Sequence, residues 1–119
     1  MELDKMERRL KMNKQELLVT LILASRVGLL GNVPKNLRAI RADIDLEKMN
    51  VDWINYYEDQ PTDEEIEALD SATGQVIAHF PAFFLNQSHV HYPYPKEFDN
   101  KMDTWIFMRW EDDLNDQRK

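Results

Sequence analysis

The sequence predicts a two-layer α+β domain with the element order α-β-β-α-β-β. Three observations carry that reading. Apolar residues recur at the helical period of 3.6 in two separate stretches, Leu17 to Leu29 and Ile66 to Phe80. After each helical stretch come two short runs of alternating, β-branched or aromatic character, which read as strands. Glycine and proline punctuate the joins at Gly31, Pro34, Pro61, Pro81, Pro93 and Pro95. Two hairpin-like strand pairs, each preceded by a helix, suit a four-stranded, mainly antiparallel sheet with both helices on one face. At 119 residues the chain is a single domain, 1–119.

The first helix presents Leu17, Leu21, Ala24 and Val27 on one side, with Leu18, Ile22 and Leu29 beside them. Asn13-Lys14-Gln15-Glu16 has the form of a capping box. Leu3, Met6 and Leu10 carry the same spacing backward, so residues 1–12 are either an extension or the first part of one long helix. Gly28, Gly31 and Pro34 supply stop signals. From Asn36 to Leu46, Ile40, Ala42, Ile44 and Leu46 alternate with Arg41, Asp43 and Asp45, the pattern of a half-buried strand. Glu47–Asn50 turns the chain into a second strand, Val51–Glu58. Its facing is open: Val51, Trp53 and Tyr57 share one side, Ile54 and Tyr56 the other.

Thr62-Asp63-Glu64-Glu65 is a second capping box, and its acids suit a helix N-terminus. Ile66, Leu69, Ala72, Thr73, Val76, Ile77 and Phe80 follow on one stripe, ended by Pro81. Phe84–Tyr92 and Thr104–Trp110 read as the last two strands, and residues 112–119 as a flexible polar tail. The sheet face away from the helices is expected to be open, with Trp53 or Tyr56, Trp105 or Ile106, Arg41 and Asp43 as candidates to line it.

Composition excludes several function classes. No cysteine occurs, which removes disulfides, thiolate metal sites, iron–sulfur clusters and cysteine nucleophiles, and leaves the cytoplasm as the default compartment. The longest apolar run, Leu17–Ala24, is far short of the about 20 residues that span a bilayer. Acids at Glu2, Asp4 and Glu7 and the absence of a small-x-small site after Ala24 argue against a signal peptide. The formal charge of −7 disfavours nucleic acid and anionic membrane as partners. With glycines only at 28, 31 and 74, neither a dinucleotide fingerprint nor a P-loop can be drawn, and no G-x-S-x-G elbow occurs. No cofactor, metal or catalytic residue is expected. His89 and His91 share a strand face about 7 Å apart, which leaves a metal-binding protein or small enzyme as one alternative.

Charge distribution is more informative. Residues 43–70 hold eleven acids against Lys48 alone, a net −10. A helix N-terminus accounts for Asp63, Glu64 and Glu65. It does not account for Asp43, Asp45, Asp52, Glu58 and Asp59, with Trp53, Tyr56 and Tyr57 interleaved. Such density costs stability through repulsion, and a cationic partner would relieve it. The expected partner-binding residues are therefore Asp43, Asp45, Asp52, Trp53, Tyr56, Glu58, Asp59, Asp63 and Glu64.

The segment Leu29-Leu30-Gly31-Asn32-Val33-Pro34-Lys35-Asn36-Leu37-Arg38-Ala39-Ile40 is followed by a strand pair, then by a Pro-Thr-Asp-Glu-Glu helix ending Val76-Ile77-Ala78-His79-Phe80-Pro81. This layout, covering about residues 16–110, resembles small bacterial proteins with an L-L-G-x-[VI]-x-x-N-L-R-A-[VI] segment. Some of these look like the immunity partners of contact-dependent-inhibition and other polymorphic toxins. Residues 1–14 and the stretch His89 to Pro95 have no counterpart in that pattern. The resemblance implies a protein that binds and neutralises a cognate toxin domain, and the acidity suits a basic nuclease as that toxin. A structural or regulatory homodimer, formed through the open sheet face, is the other alternative. The Leu29–Ile40 segment also has a purely structural reading, as a helix cap, a crossing and a strand start, with no functional role for Arg38.

Overall fold

The computed structural model describes residues 2–98 and 104–111, with side chains from residue 14 onward. The elements are α1 (Glu2–Leu29), β1 (Leu37–Asp45), β2 (Asn50–Tyr57), α2 (Asp63–Ile77), β3 (Phe84–His91) and β4 (Thr104–Met108). The α-β-β-α-β-β order and the α+β class are those expected from sequence. The tail at 112–119 lies outside the described residues.

One long helix replaces the two-helix option at the N-terminus. α1 runs through Asn13, so Asn13-Lys14-Gln15-Glu16 is helix interior and not a cap. Its far end behaves as the stop signals require. Gly31 adopts a positive φ of 75°, and Asn32 closes the end by donating from its backbone N to Leu29 O (2.9 Å) and from Nδ2 to Gly28 O (3.0 Å). In α2 the capping box forms as read. Glu65 N donates to Thr62 Oγ1 (3.2 Å), and Thr62 N donates to Glu65 Oε1 (2.9 Å).

Sheet topology differs from two hairpins side by side. The strand order is β3-β2-β1-β4. β1 pairs antiparallel with both β2 and β4, whereas β2 and β3 are parallel, so the sheet is mixed. The reason lies in α2. A helix between two strands carries the chain back to the end where it began, which makes the next strand parallel to the last. β4 then crosses to the far edge and pairs with β1, Ile40 opposite Phe107 and Ala42 opposite Thr104.

Register settles which face is core. Ile40, Ala42 and Ile44 of β1 stand opposite Asn55, Trp53 and Val51 of β2. These residues, with Tyr57, are buried together with Leu21, Ala24 and Leu29 of α1 and Leu69, Ala72 and Val76 of α2 in one continuous core. Both helices thus cover the same sheet face. They approach closely, since a Cβ on Gly28 would lie 2.8 Å from Ala72 O. Leu69 is completely buried at the centre of the α2 stripe. Leu69→Ala should cost about 2–5 kcal/mol, read as a lower urea midpoint at unchanged slope; an unshifted midpoint would refute this register.

The opposite sheet face is not left open. Tyr92 and Phe98, from the segment after β3, fold over its lower half. Tyr56 meets Phe98 edge-on at 4.8 Å between ring centres, and Phe98 meets Trp105 at 5.1 Å. Arg41 lies on this face with its guanidinium 4.6 Å from the Trp105 ring centre. The upper half, around Asp43 and Asp52, is without such an aromatic cover among the described residues, and Trp105 at the edge stays 37% exposed.

Candidate functional site

The acidic run does not fold into one patch. β2 separates its members: from Asp52 to Glu58 the strand advances roughly 20 Å. One group gathers at the β1–β2 turn. Asp43 and Asp52 are direct cross-strand partners there, and Asp45 pairs with Asn50 at the last rung. Asp43, Asp45, Glu47 and Asp52 line a cleft of about 360 Å³, together with Lys14 of α1. The turn itself explains part of this chemistry. Asp45 Oδ1 accepts from the amides of Glu47 (3.0 Å) and Lys48 (3.1 Å), and Met49 takes a positive φ of 54° to complete the reversal. Asp43 Oδ1 accepts from Ile44 N (2.8 Å), and Asp52 Oδ1 from Asn86 Nδ2 (3.0 Å). Among the described residues no ion pair neutralises Asp43, Asp45 or Asp52. Two carboxylates directly opposite across a strand pair repel each other.

The second group sits at the other end of β2. Asp59 is exposed on the connection into α2, and Asp63 and Glu64 are exposed in the first turn of that helix. Asn36 pins this connection, accepting from Asp59 N at 2.7 Å and donating to Asp59 O (3.0 Å) and Glu65 Oε1 (3.2 Å). Glu58 does not belong to the free surface. Its carboxylate accepts from Arg109 Nη2 and from Tyr94 N, both at 2.8 Å.

The aromatic part of the predicted site is corrected by the register. Trp53 is 0% exposed on the helix side of β2, and its Nε1 donates to Asn55 Oδ1 at 2.8 Å. Tyr57 is equally buried, and Tyr56 is closed under Tyr92 and Phe98. None of the three offers an anchor to a partner. A strand of alternating aromatics beside acids has a core-facing side, and here that side takes Trp53 and Tyr57.

The histidines turn to separate tasks. Burial first, then the charges of Glu65 and Asp70, push the Tyr57 phenol far above its ordinary value. It stays protonated, with its oxygen 2.8 Å from His89 Nδ1, and His89 Nε2 lies 3.3 Å from Asp70 Oδ1 on the other side of the ring. His91 Nε2 lies 3.1 Å from Glu58 O. Among the described residues no group of three His, Cys, Asp or Glu side chains is placed to hold a metal.

Sequence reasoning missed a charged cluster at the lower sheet end. Arg38, almost fully buried, grips Glu111 with Nε (2.7 Å) and Nη2 (3.2 Å) and donates from Nη1 to Tyr92 O (3.1 Å). Its guanidinium stacks 4.4 Å from the Phe98 ring centre. Arg109 joins Glu111 to Glu58 at 3.0 and 2.8 Å. Burial works against ionisation of Glu111, but hydrogen bonds from Arg38 and Arg109, and then their charges, more than reverse it and hold the carboxyl below its ordinary value. For Arg109, burial acts to lower the pKa, and the bonds to Glu58 and Glu111 override it and raise it. This chemistry is structural: it fastens β1, the 92–98 segment and the end of β4 together. The signal in the sequence was the dense His89-to-Pro95 stretch, whose aromatics form the cover.

Fold and surface define a small acidic α+β domain whose buried polar groups serve packing and whose carboxylates without an ion pair among the described residues gather at two sheet ends. The chain belongs to the MafI2 immunity protein family, whose model matches residues 18–111, from the middle of α1 to Glu111. It is thus an immunity protein of a polymorphic toxin system, and a cognate toxin is its implied partner. No curated protein matches the chain. Among the described residues no helix is long and apolar enough to cross a membrane.

Proposed function

We propose that this chain neutralises its toxin by covering a cationic surface with the carboxylates at the β1–β2 turn. The observation that carries this is the direct opposition of Asp43 and Asp52, with Asp45 and Glu47 in the same cleft and, among the described residues, Lys14 as the one base lining it. A strand pair does not gain stability from facing carboxylates, so their presence fits a role in recognition. A nuclease domain needs positive charge to hold phosphate, which makes it the toxin class best matched to such an inhibitor. Asp59, Asp63 and Glu64, at the far end, extend the field that steers the toxin in. The role is binding, not turnover, and its setting is the bacterial cytoplasm, as in contact-dependent inhibition.

Neutralising the turn tests it. The triple variant Asp43→Asn, Glu47→Gln, Asp52→Asn keeps side-chain shape and acceptor oxygens. Stopped-flow mixing with the cognate toxin domain should show association slowed about tenfold or more at low salt, with a shallower salt dependence. Stability should hold or rise slightly, because the cross-strand repulsion is gone. Wild-type association at low salt would remove the turn from the interface.

A further inference from the structure

From Val19 onward, the side of α1 that faces away from the core carries a line of exposed apolar residues. Leu21, Ala24, Ser25, Gly28 and Leu29 turn inward. On the opposite side Val19, Leu23, Val27 and, just past the helix end, Leu30 are 55, 56, 65 and 76% exposed. Their spacing of four, four and three residues sets them on one line along the helix. A helix with one face in the core normally carries polar residues along this line. At the N-terminal end of the stripe, Gln15, Glu16, Val19 and Thr20 line a shallow groove.

The charges on this face are self-complementary. Glu16 and Arg26 are both exposed, carry opposite signs, and stand five positions before and after Leu21. A second α1 laid antiparallel, with the two-fold axis at the height of Leu21, brings each residue i to the level of residue 42 − i of the other copy. Val19 then meets Leu23 of the partner subunit, and Glu16 meets Arg26 of the partner subunit, each contact made twice by symmetry. A parallel pair would instead set Glu16 against Glu16 and Arg26 against Arg26. The overlapping helices run about 25 Å, from residue 13 to residue 29.

We propose that this protein forms an isologous antiparallel dimer through the outward face of α1. The occupant is a second copy of the chain, because the charge pattern is satisfied by its own inversion. One helix pair buries less than the roughly 1,200–2,000 Å² of a standard interface, so the dimer is concentration-dependent. The face is distinct from the acidic turn, which leaves toxin binding available to each protomer.

Sedimentation equilibrium of the full chain over roughly 1–200 µM tests this. The expected result is a monomer–dimer equilibrium. Leu23→Asp should give monomer with an unchanged circular dichroism spectrum, since Leu23 is exposed. Glu16→Arg alone and Arg26→Glu alone should each weaken the dimer about tenfold, and the two together should restore it. A chain monomeric throughout the range overturns the proposal, as does a double variant no better than the single ones. A monomeric chain whose toxin binding is lost on Leu23→Asp would also overturn it and assign the face to the toxin. Failure of the acidic-turn variant to slow toxin binding would leave these readings unaffected.

Discussion

Trp53→Ala should lower the free energy of unfolding by about 3–5 kcal/mol. Trp53 is the largest fully buried side chain, on the helix side of β2 directly opposite Ala42. Small Ala42 makes room for the indole, and truncation would leave a hole that neither strand can close by shifting register. A polar cost adds to this. Trp53 Nε1 donates to Asn55 Oδ1, while Asn55 Nδ2 donates to Gln87 Oε1 (3.0 Å) and to Ser88 O (3.3 Å). Losing the indole strands an acceptor in a buried network that joins β2 to β3. Trp53→Phe keeps most of the packing and loses only the donor, so about 1–2 kcal/mol is expected. Urea titration followed by far-UV circular dichroism reads both. An anchor on the binding surface would behave oppositely, with toxin affinity falling and the denaturant midpoint fixed. That outcome would place the indole outside the core.

Trp53 also shows where sequence reading reached its limit. Period-2 alternation placed Val51, Trp53 and Tyr57 on one side and Ile54 and Tyr56 on the other, and the register keeps those sets apart. Which set faced the helices could not follow from alternation, because both sets are aromatic or β-branched. Capping was more legible. Thr62 and Glu65 act through bonds three residues apart, so the capping box at α2 is entirely local. The same pattern at Asn13 misled, since apolar spacing before it continues the helix and no glycine or proline interrupts. The sheet order was also partly readable. A strand, a helix and a strand in sequence is the form of a parallel crossover, and β2-α2-β3 obeys it. Reading strands as neighbouring hairpins hid that signal.

The acidic site was legible as chemistry and not as geometry. Eleven acids in 28 residues are plain in the sequence. A strand in their middle spreads them over two ends, and only the pairing of Asp43 with Asp52 marks one end as a concentrated patch. Glu58 left the surface because of Arg109, 51 residues away, and Arg38 entered the interior because of Glu111, 73 residues away. Such long-range partners leave no local trace. The outward stripe on α1 was not read from the sequence: Val27 was grouped there with Leu17, Leu21 and Ala24, and only burial sets it apart with Val19, Leu23 and Leu30 on the exposed side.

Arg38→Ala should cost about 3 kcal/mol, the lower end of the about 3–5 kcal/mol range for breaking a buried pair. The guanidinium holds both Glu111 oxygens and Tyr92 O, and fills the space against Phe98. Removing it leaves the carboxylate, among the described residues, with Arg109 and opens a gap beneath the aromatic cover. Arg109 and the residual solvent contact of Glu111, whose side chain is 17% exposed, keep the loss from being larger. Arg38→Lys should recover only part of it, because an ammonium cannot make the forked contact. The pH dependence carries the more specific signature. Glu111 has a pKa lowered in the folded state, so it contributes stability at pH values above its unfolded pKa of about 4.3 and loses that contribution as pH falls through the lower folded value. Removing Arg38 takes away one of the two groups that lower it. The stability gap between wild type and Arg38→Ala should therefore be full near neutrality and shrink as pH drops below about 4. Glu111→Gln should flatten the same acid limb, and in that background the Arg38 substitution should lose most of its pH dependence. A gap that stayed constant from neutral to acid pH would mean that Arg38 acts through packing alone.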